Sequence, residues 1–225
     1  MWIKELIPPL VWNAARALLR PHVEPVSVES WARLEDVPCD DHPVWASASA
    51  SISDAWNTGT FRVLTSILLA CRSDTAKVLD FGGSHGPYYH RFRPFMPHRS
   101  VQWTVQELPE VVSSAKGTDE LSFVTETPDQ VFDLTIISGS LQCSAKPTEF
   151  LAGLQSQFIL LDRLPVSKTN TEDRAHIQRI GSGETPMWVF GSGFCPPNAW
   201  LSWEIPEENV FRDFVMKGWL IAKSR

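Results

Sequence analysis

The chain has 225 residues, 43% apolar and 20% charged, with a formal net charge of −6. This is ordinary soluble composition, long enough for one well-buried α/β domain. With a negative balance and no sustained Lys/Arg stripe, a nucleic-acid partner is disfavoured, because backbone binding needs clustered cations that release counterions. The four cysteines, Cys39, Cys71, Cys143 and Cys195, have no C-x-x-C spacing, so neither a zinc site nor a disulfide framework is suggested and they read as reduced thiols in a cytosolic protein.

From the N-terminus, Met1–Pro21 mixes Trp2, Ile3, Leu6, Leu10, Val11 and Leu18 with Lys4, Arg16 and Arg20. It is too short and interrupted to span a bilayer, and Pro8, Pro9 and Asn13 spoil a signal peptide. An amphipathic helix from about Pro9 to Leu19 is expected, packed on the domain or making a peripheral membrane contact through residues 1–20. Residues 21–55 carry Pro21, Pro25, Pro38 and Pro43 and read as an irregular or short-helical extension anchored by Trp31, Trp45 and Ile52, lying over a ligand cleft. Residues 1–55 are therefore an extension and 56–225 the main domain of a single globular unit.

Helical spacing covers Trp56–Arg72, with Asp54 as its cap. Val78 and Leu79 form a buried strand that runs into Asp80 and then Gly82, Gly83 and Gly86, where missing Cβ atoms let the backbone turn sharply and approach a ligand. Tyr88–Phe95 reads as a short helix, Val101–Glu107 as the second strand and Pro109–Ala115 as a helix. Leu121–Val124, Phe132–Ser138 and Phe158–Asp162 complete five strands, with a helix over Pro147–Gln157. The alternation predicts an α/β fold, Rossmann-like and doubly wound with a mostly parallel sheet. Ala175–Ile180 and Pro186–Phe190 are expected to be extended, and Gly181–Trp203 to act as a substrate lid. Pro206–Lys217 reads as a helix on Val210, Phe211, Phe214 and Val215, and Trp219–Ala222 as a strand. The antiparallel pair that usually closes such a sheet lacks an obvious second member, to be supplied by residues 176–190 or absent.

The glycine spacing fits the dinucleotide fingerprint poorly, and an acid ahead of the glycines repels a pyrophosphate but suits a cation. Glu107 ends the next strand, where a carboxylate accepts both hydroxyls of a ribose. A nicotinamide-dependent oxidoreductase is thereby disfavoured. Four motifs in order, Asp80-Phe-Gly-Gly-x-x-Gly, Trp103-x-Val-x-Glu107, Asp133-x-x-x-x-Ser138-Gly-x-Leu141-Gln142 and Leu160-Leu-Asp162-Arg163-x-Pro165, resemble the successive strand ends of a group of class I S-adenosylmethionine-dependent methyltransferases encoded among genes for surface-polysaccharide biosynthesis. The resemblance covers about residues 60–225, and departs from the general D-x-G-x-G-x-G signature in carrying Ser84 where the second glycine falls.

That resemblance implies S-adenosyl-L-methionine as cofactor, with Asp80, Gly82, Gly83, Gly86, Glu107, Ser138 and Gly139 around it, and a small-molecule or glycan acceptor, methylated on oxygen. An acceptor hydroxyl needs alignment and a base. His176 is the first choice of base, because imidazole titrates near neutrality, with His85 and Asp162 beside it. Gln142, Arg163, Gln178 and Trp188 are expected to touch the acceptor, and His90 is a further polar candidate. Arg163 is left either pairing with Asp162 or touching substrate, and Trp188, Trp200 and Trp203 either stack on sugar rings or plug a sheet edge. An inactive S-adenosyl-nucleoside-binding module is the alternative function.

Overall fold

The computed structural model describes residues 30, 31, 33–36, 58–96, 100–180, 183–205 and 213–223. Ten strands are described: β1 (Ser30–Trp31), β2 (Thr75–Phe81), β3 (Ser100–Gln106), β4 (Leu121–Val124), β5 (Phe132–Ser138), β6 (Ser156–Ser167), β7 (Arg174–Ile180), β8 (Gly183–Val189), β9 (Ala199–Glu204) and β10 (Phe214–Ala222). The α-helices are α1 (Thr58–Ala70), α2 (Pro87–Phe92), α3 (Pro109–Ser114) and α4 (Pro147–Gly153). The expected amphipathic helix at 9–19, the anchors Trp45 and Ile52 and the cap Asp54 lie outside the described residues.

The main sheet has the order β4-β3-β2-β5-β6-β10-β9. Pairing is parallel from β4 to β6 and antiparallel at β10 and β9. Strand order reverses between β2 and β5, so the carboxyl edge opens a crevice there, the usual ligand position in such sheets. Two apolar layers cover the sheet. Val63 and Ile67 of α1 and Tyr89 and Phe92 of α2 pack with Val78, Trp103, Val105 and Ile136, while Leu154, Phe150 and Leu151 pack with Leu79, Ile137, Ile159 and Leu161. Helical spacing brings Val63, Ile67 and Ala70 onto one face of α1, and burying each large side chain contributes about 1.5–3 kcal/mol.

The C-terminal third differs from the sequence expectation. Phe214–Lys217 is the first half of β10, not the end of a helix; residues 206–212 lie outside the described residues. Backbone pairing with Leu164–Ser167 of β6, and of Lys217 with Glu204 of β9, supplies partners that local helical spacing cannot, and Phe214 and Val215 are themselves good strand residues. The second member of the closing pair is β9, not a segment of 176–190. Nor is 181–203 a simple lid, since it contains β8 and β9. Strands β7 and β8 form a hairpin that joins β1 in a separate antiparallel sheet, β1-β7-β8. Helix α4 stops at Gly153, earlier than Gln157, because Leu154 turns to an extended conformation and Ser156 already pairs with Phe132.

Strand β6 runs past the end of β5. Its first part pairs with β5 as far as Asp162, after which Pro165 accepts from the Phe190 N–H and Ser167 donates to the Phe190 carbonyl. The end of the β7–β8 hairpin therefore docks beside β6 where β5 leaves off.

Candidate active site at the carboxyl edge

Asp80 lies on β2 within the sheet, 1% exposed, with the indole N–H of Trp103 at 3.4 Å from its Oδ2. Desolvation, opposed by the Trp103 bond and assisted by the charge of Glu107, pushes its pKa up to about 7. The glycine bend closes over it: a Cβ on Gly83 would stand 2.4 Å from the Asp80 Cγ. Only glycine lets the main chain lie this close to the carboxylate. Gly82 and Gly86 take left-handed φ values of 68° and 73°, and Ser84, unusually for a side-chain-bearing residue, takes 50°.

Glu107 holds that strained bend in place. Its Oε1 accepts from the Ser84 N–H and its Oε2 from the Leu108 N–H, both at 2.9 Å. A carboxylate offers about four lone-pair sites, so each oxygen retains one for a ligand hydroxyl. Opposite, the turn Leu141–Cys143 follows the β5 tip. Gln142 donates from Nε2 to the Gly139 carbonyl at 2.9 Å, which fixes its amide orientation and leaves Oε1 buried without a partner among the described residues. Cys143 is solvent-exposed, and desolvation together with the Glu107 charge pushes its thiol up to about 11.

Tyr88, absent from the expected site residues, reaches the β5 tip. From the first turn of α2 its hydroxyl donates to Ser138 Oγ at 3.2 Å. Burial holds the phenol pKa above its ordinary value, opposed by the Ser138 bond, with the negative charges of Asp80 and Asp162 also raising it and Arg163 lowering it. Its position directly after the glycine bend was the available signal. The pattern of apolar residues placed it in the helix instead.

Asp162 is within the protein, 1% exposed, and its oxygens accept from Arg62 Nε at 2.8 Å and Trp203 Nε1 at 3.1 Å. Burial raises its pKa, against the hydrogen bond and charge of Arg62. This carboxylate ties α1 and β9 to β6 at the point where the pairing of β6 with β5 ends, and its oxygens are taken by Arg62 and Trp203. Trp203 lies flat over Gly218, where a Cβ would come 2.4 Å from its Nε1, so it covers the sheet edge.

The edge thus brings together Asp80, Gly82, Gly83, Gly86, Glu107, Ser138, Gly139, Gln142, Asp162 and Arg163. His85 sits on the bend between Ser84 Oγ at 3.4 Å and Ser114 Oγ of α3 at 3.3 Å. His90 is exposed on α2, edge-on to Tyr89. His176 and Gln178 are in the small sheet, paired with Met187 and Thr185, not at the strand tips. Burial and the Arg174 charge lower the His176 pKa, with Asp213 acting against them, and its Nδ1 is buried without a partner among the described residues. Trp188 donates to the Ser144 carbonyl at 3.1 Å, tying the small sheet to the turn after β5.

No model of a known protein family matches the sequence. No curated protein matches it. Among solved structures the chain is similar to 1,6-didemethyltoxoflavin-N1-methyltransferase of Burkholderia thailandensis, solved with 1,6-didemethyltoxoflavin and S-adenosylhomocysteine, at 16% identity over 83% of this chain and 94% of that one, with a TM-score of 0.48. It is also similar to the N-terminal domain of EvdMO1 with SAH bound, at 12% identity, 97% and 98% coverage and a TM-score of 0.49. A third is an S-adenosylmethionine-dependent methyltransferase from Clostridium acetobutylicum ATCC 824, at 8% identity, 74% and 91% coverage and a TM-score of 0.45. At these scores and identities the likeness concerns the course of the chain only.

Proposed function

We propose that this chain is an S-adenosylmethionine-dependent methyltransferase. One observation carries the reading: beside the switch point a buried carboxylate, Asp80, with no cation against it among the described residues, lies under a glycine bend that Glu107 on the neighbouring strand clamps from the other side. The donor set fits a cationic nucleoside. Asp80 acts through its field, because Gly83 separates it from the crevice, and Glu107 has lone pairs left for a vicinal diol. Ser138, Gly139 and Tyr88 line the end of the crevice towards β6.

When bound, S-adenosylmethionine supplies an electrophilic methyl group on a positive sulfur. The protein's work is then to align the acceptor in line and keep water out, which the bend, Tyr88 and the docked small sheet are placed to do. Residues 56–225 form the catalytic unit in this reading and 1–55 its cover, in a cytoplasmic protein. Among the described residues no helix is long and apolar enough to cross a membrane. The finer reading, O-methylation of a saccharide or glycolipid intermediate, is supported by the four strand-end motifs alone.

A second reading, a nucleoside-binding module without turnover, draws support from the imidazoles, since His85 is held between two serines and His176 is in the small sheet. Calorimetry with S-adenosylmethionine, S-adenosylhomocysteine and NAD tests both. Heat with the two sulfur nucleosides and none with NAD is expected, and silence with both overturns the methyltransferase reading. Binding without methyl transfer to a panel of saccharide, amine and carboxylic acid acceptors favours the second reading.

A further inference from the structure

The turn that follows β5 is held from both sides. Ser140 Oγ donates to the Phe81 carbonyl at 2.6 Å, and Gly82 makes room for it, since a Cβ there would collide with the Ser140 Cβ. On the other flank β6 bends at Arg163, with a left-handed φ of 60°, and its far half meets Phe190, while Trp188 of the same hairpin donates to the Ser144 carbonyl. Leu141 anchors the turn in the core, 0% exposed. Gln142 is therefore carried on backbone pinned to the glycine bend at one end and to the small sheet at the other, and it is itself buried, 7% exposed. The Gly139 carbonyl takes the Nε2 N–H, so the atom that remains can only be the amide oxygen. That oxygen has no partner among the described residues. A buried acceptor of this kind persists in a native fold where a water or a ligand supplies the donor.

The surroundings narrow what the donor can be. The charge of Glu107 acts on Cys143, the next residue of the turn, and those of Asp80 and Asp162 act on the Tyr88 hydroxyl at Ser138, opposed there by Arg163. A fixed amide oxygen repels the lone pairs of a carboxylate or an ether and receives an N–H or O–H. We infer that Gln142 Oε1 receives a hydrogen bond from the group that becomes methylated, and that this group is a hydroxyl or an N–H amine, not a carboxylate, a thioether or a tertiary amine. The inference rests on the methyltransferase reading and adds to it a specificity-determining residue: by holding the N–H or O–H bond, Gln142 fixes the direction of the nucleophile's lone pair. A second source of the same donor chemistry is the ammonium of the cofactor's amino-acid end, and the test separates the two.

Three ligands are titrated into the full chain by calorimetry: S-adenosylhomocysteine; methylthioadenosine, which lacks the amino-acid end; and sinefungin, which has an amine-bearing carbon in place of the methyl-bearing sulfur. The parent chain is expected to bind sinefungin about tenfold more tightly than S-adenosylhomocysteine, because the extra ammonium reaches the Gln142 oxygen. In Gln142→Met, of similar length and without the amide, that advantage is expected to disappear while the affinities for the other two ligands stay at parent values. Gln142→Glu keeps an oxygen in the same place and is expected to retain the advantage. A parent chain that binds sinefungin no better than S-adenosylhomocysteine, or an advantage that survives in Gln142→Met, overturns the inference. So does an equal loss of all three ligands in both variants, which marks the glutamine as a structural tie for the turn. A loss of S-adenosylhomocysteine and sinefungin with methylthioadenosine unaffected gives the oxygen to the cofactor's ammonium and overturns the acceptor assignment. If S-adenosylhomocysteine does not bind the parent chain at all, the methyltransferase reading falls and takes the inference with it, whereas parent-like S-adenosylhomocysteine binding beside an unaltered sinefungin advantage defeats the inference alone.

Discussion

Replacing Asp80 by asparagine removes one negative charge from the centre of the sheet while keeping the side chain's shape and an oxygen for the Trp103 N–H. The native state holds the Asp80 proton more tightly than the unfolded chain, with a pKa of about 7 against an ordinary 3.8. Unfolding therefore releases a proton between those values, and this group's contribution to stability is complete at low pH and lost as pH rises towards 7. From the two pKa values the contribution falls by about 2.5 kcal/mol between about pH 5 and pH 8. The substituted amide does not titrate, so the stability of Asp80→Asn relative to the parent chain should rise by that amount over the same interval. For a chain of this size the difference corresponds to a relative increase in melting temperature of about 5–10 °C. Urea unfolding of both proteins at several pH values reads it directly, and the comparison cancels every other titrating group. A stability difference that stays constant with pH would refute the account of Asp80 as a desolvated carboxylate. The stabilised variant is expected to lose affinity for S-adenosylmethionine. In the parent chain that affinity should fall about tenfold from about pH 8 to pH 6 as Asp80 takes up its proton.

Glu107→Ala removes the acceptor of the Ser84 and Leu108 N–H groups and, on the proposed reading, the lone pairs left for a ribose, and is expected to weaken cofactor binding by about 1–3 kcal/mol in calorimetry; an unchanged dissociation constant would take Glu107 out of the pocket. Arg62→Ala leaves the Asp162 carboxylate buried without its cation, and a loss of about 3 kcal/mol in urea unfolding is expected, with a partial loss in Arg62→Lys. A loss below about 0.5 kcal/mol would show that Trp203 alone satisfies the acid. Gly83→Ala drives a methyl group to 2.4 Å from the Asp80 Cγ, so stability should drop by about 1–3 kcal/mol and cofactor affinity with it. Parent-like behaviour in both assays would mean that the bend is not held against Asp80.

The parallel half of the fold was legible because its signals are local. Val78 and Leu79 are buried on both faces of a central strand, so apolar character is continuous there, and Gly82, Gly83 and Gly86 stand where the backbone turns or passes close to a carboxylate. The ends of β3 and β5, where Glu107 and Ser138 stand, followed from the same logic, whereas β6 continues past Arg163 to Ser167. What escaped depends on partners distant in sequence. Phe214 and Val215 carry helical spacing, and only pairing with Ser167 and Val166 makes them a strand. Asp162 reads as an emerging catalytic acid until Arg62, one hundred positions earlier, and Trp203, forty-one later, are brought against it. His176 is attractive for its chemistry alone, and sequence gives no indication that its strand belongs to a separate sheet. Tyr88 was hidden for the opposite reason: its ring packs with the core, and only its hydroxyl reaches Ser138.

Strand β6 serves two neighbourhoods, with the bend at Arg163 as the joint between them. Any tilt of the β7–β8 hairpin is transmitted through Phe190 to Pro165 and Ser167, two and four residues beyond that joint. Exchanging the hairpin for one of different length would therefore re-aim the Arg163 guanidinium while the β2–β5 half of the sheet stayed still. Changes at the small sheet are thus mechanically separable from changes at the glycine bend.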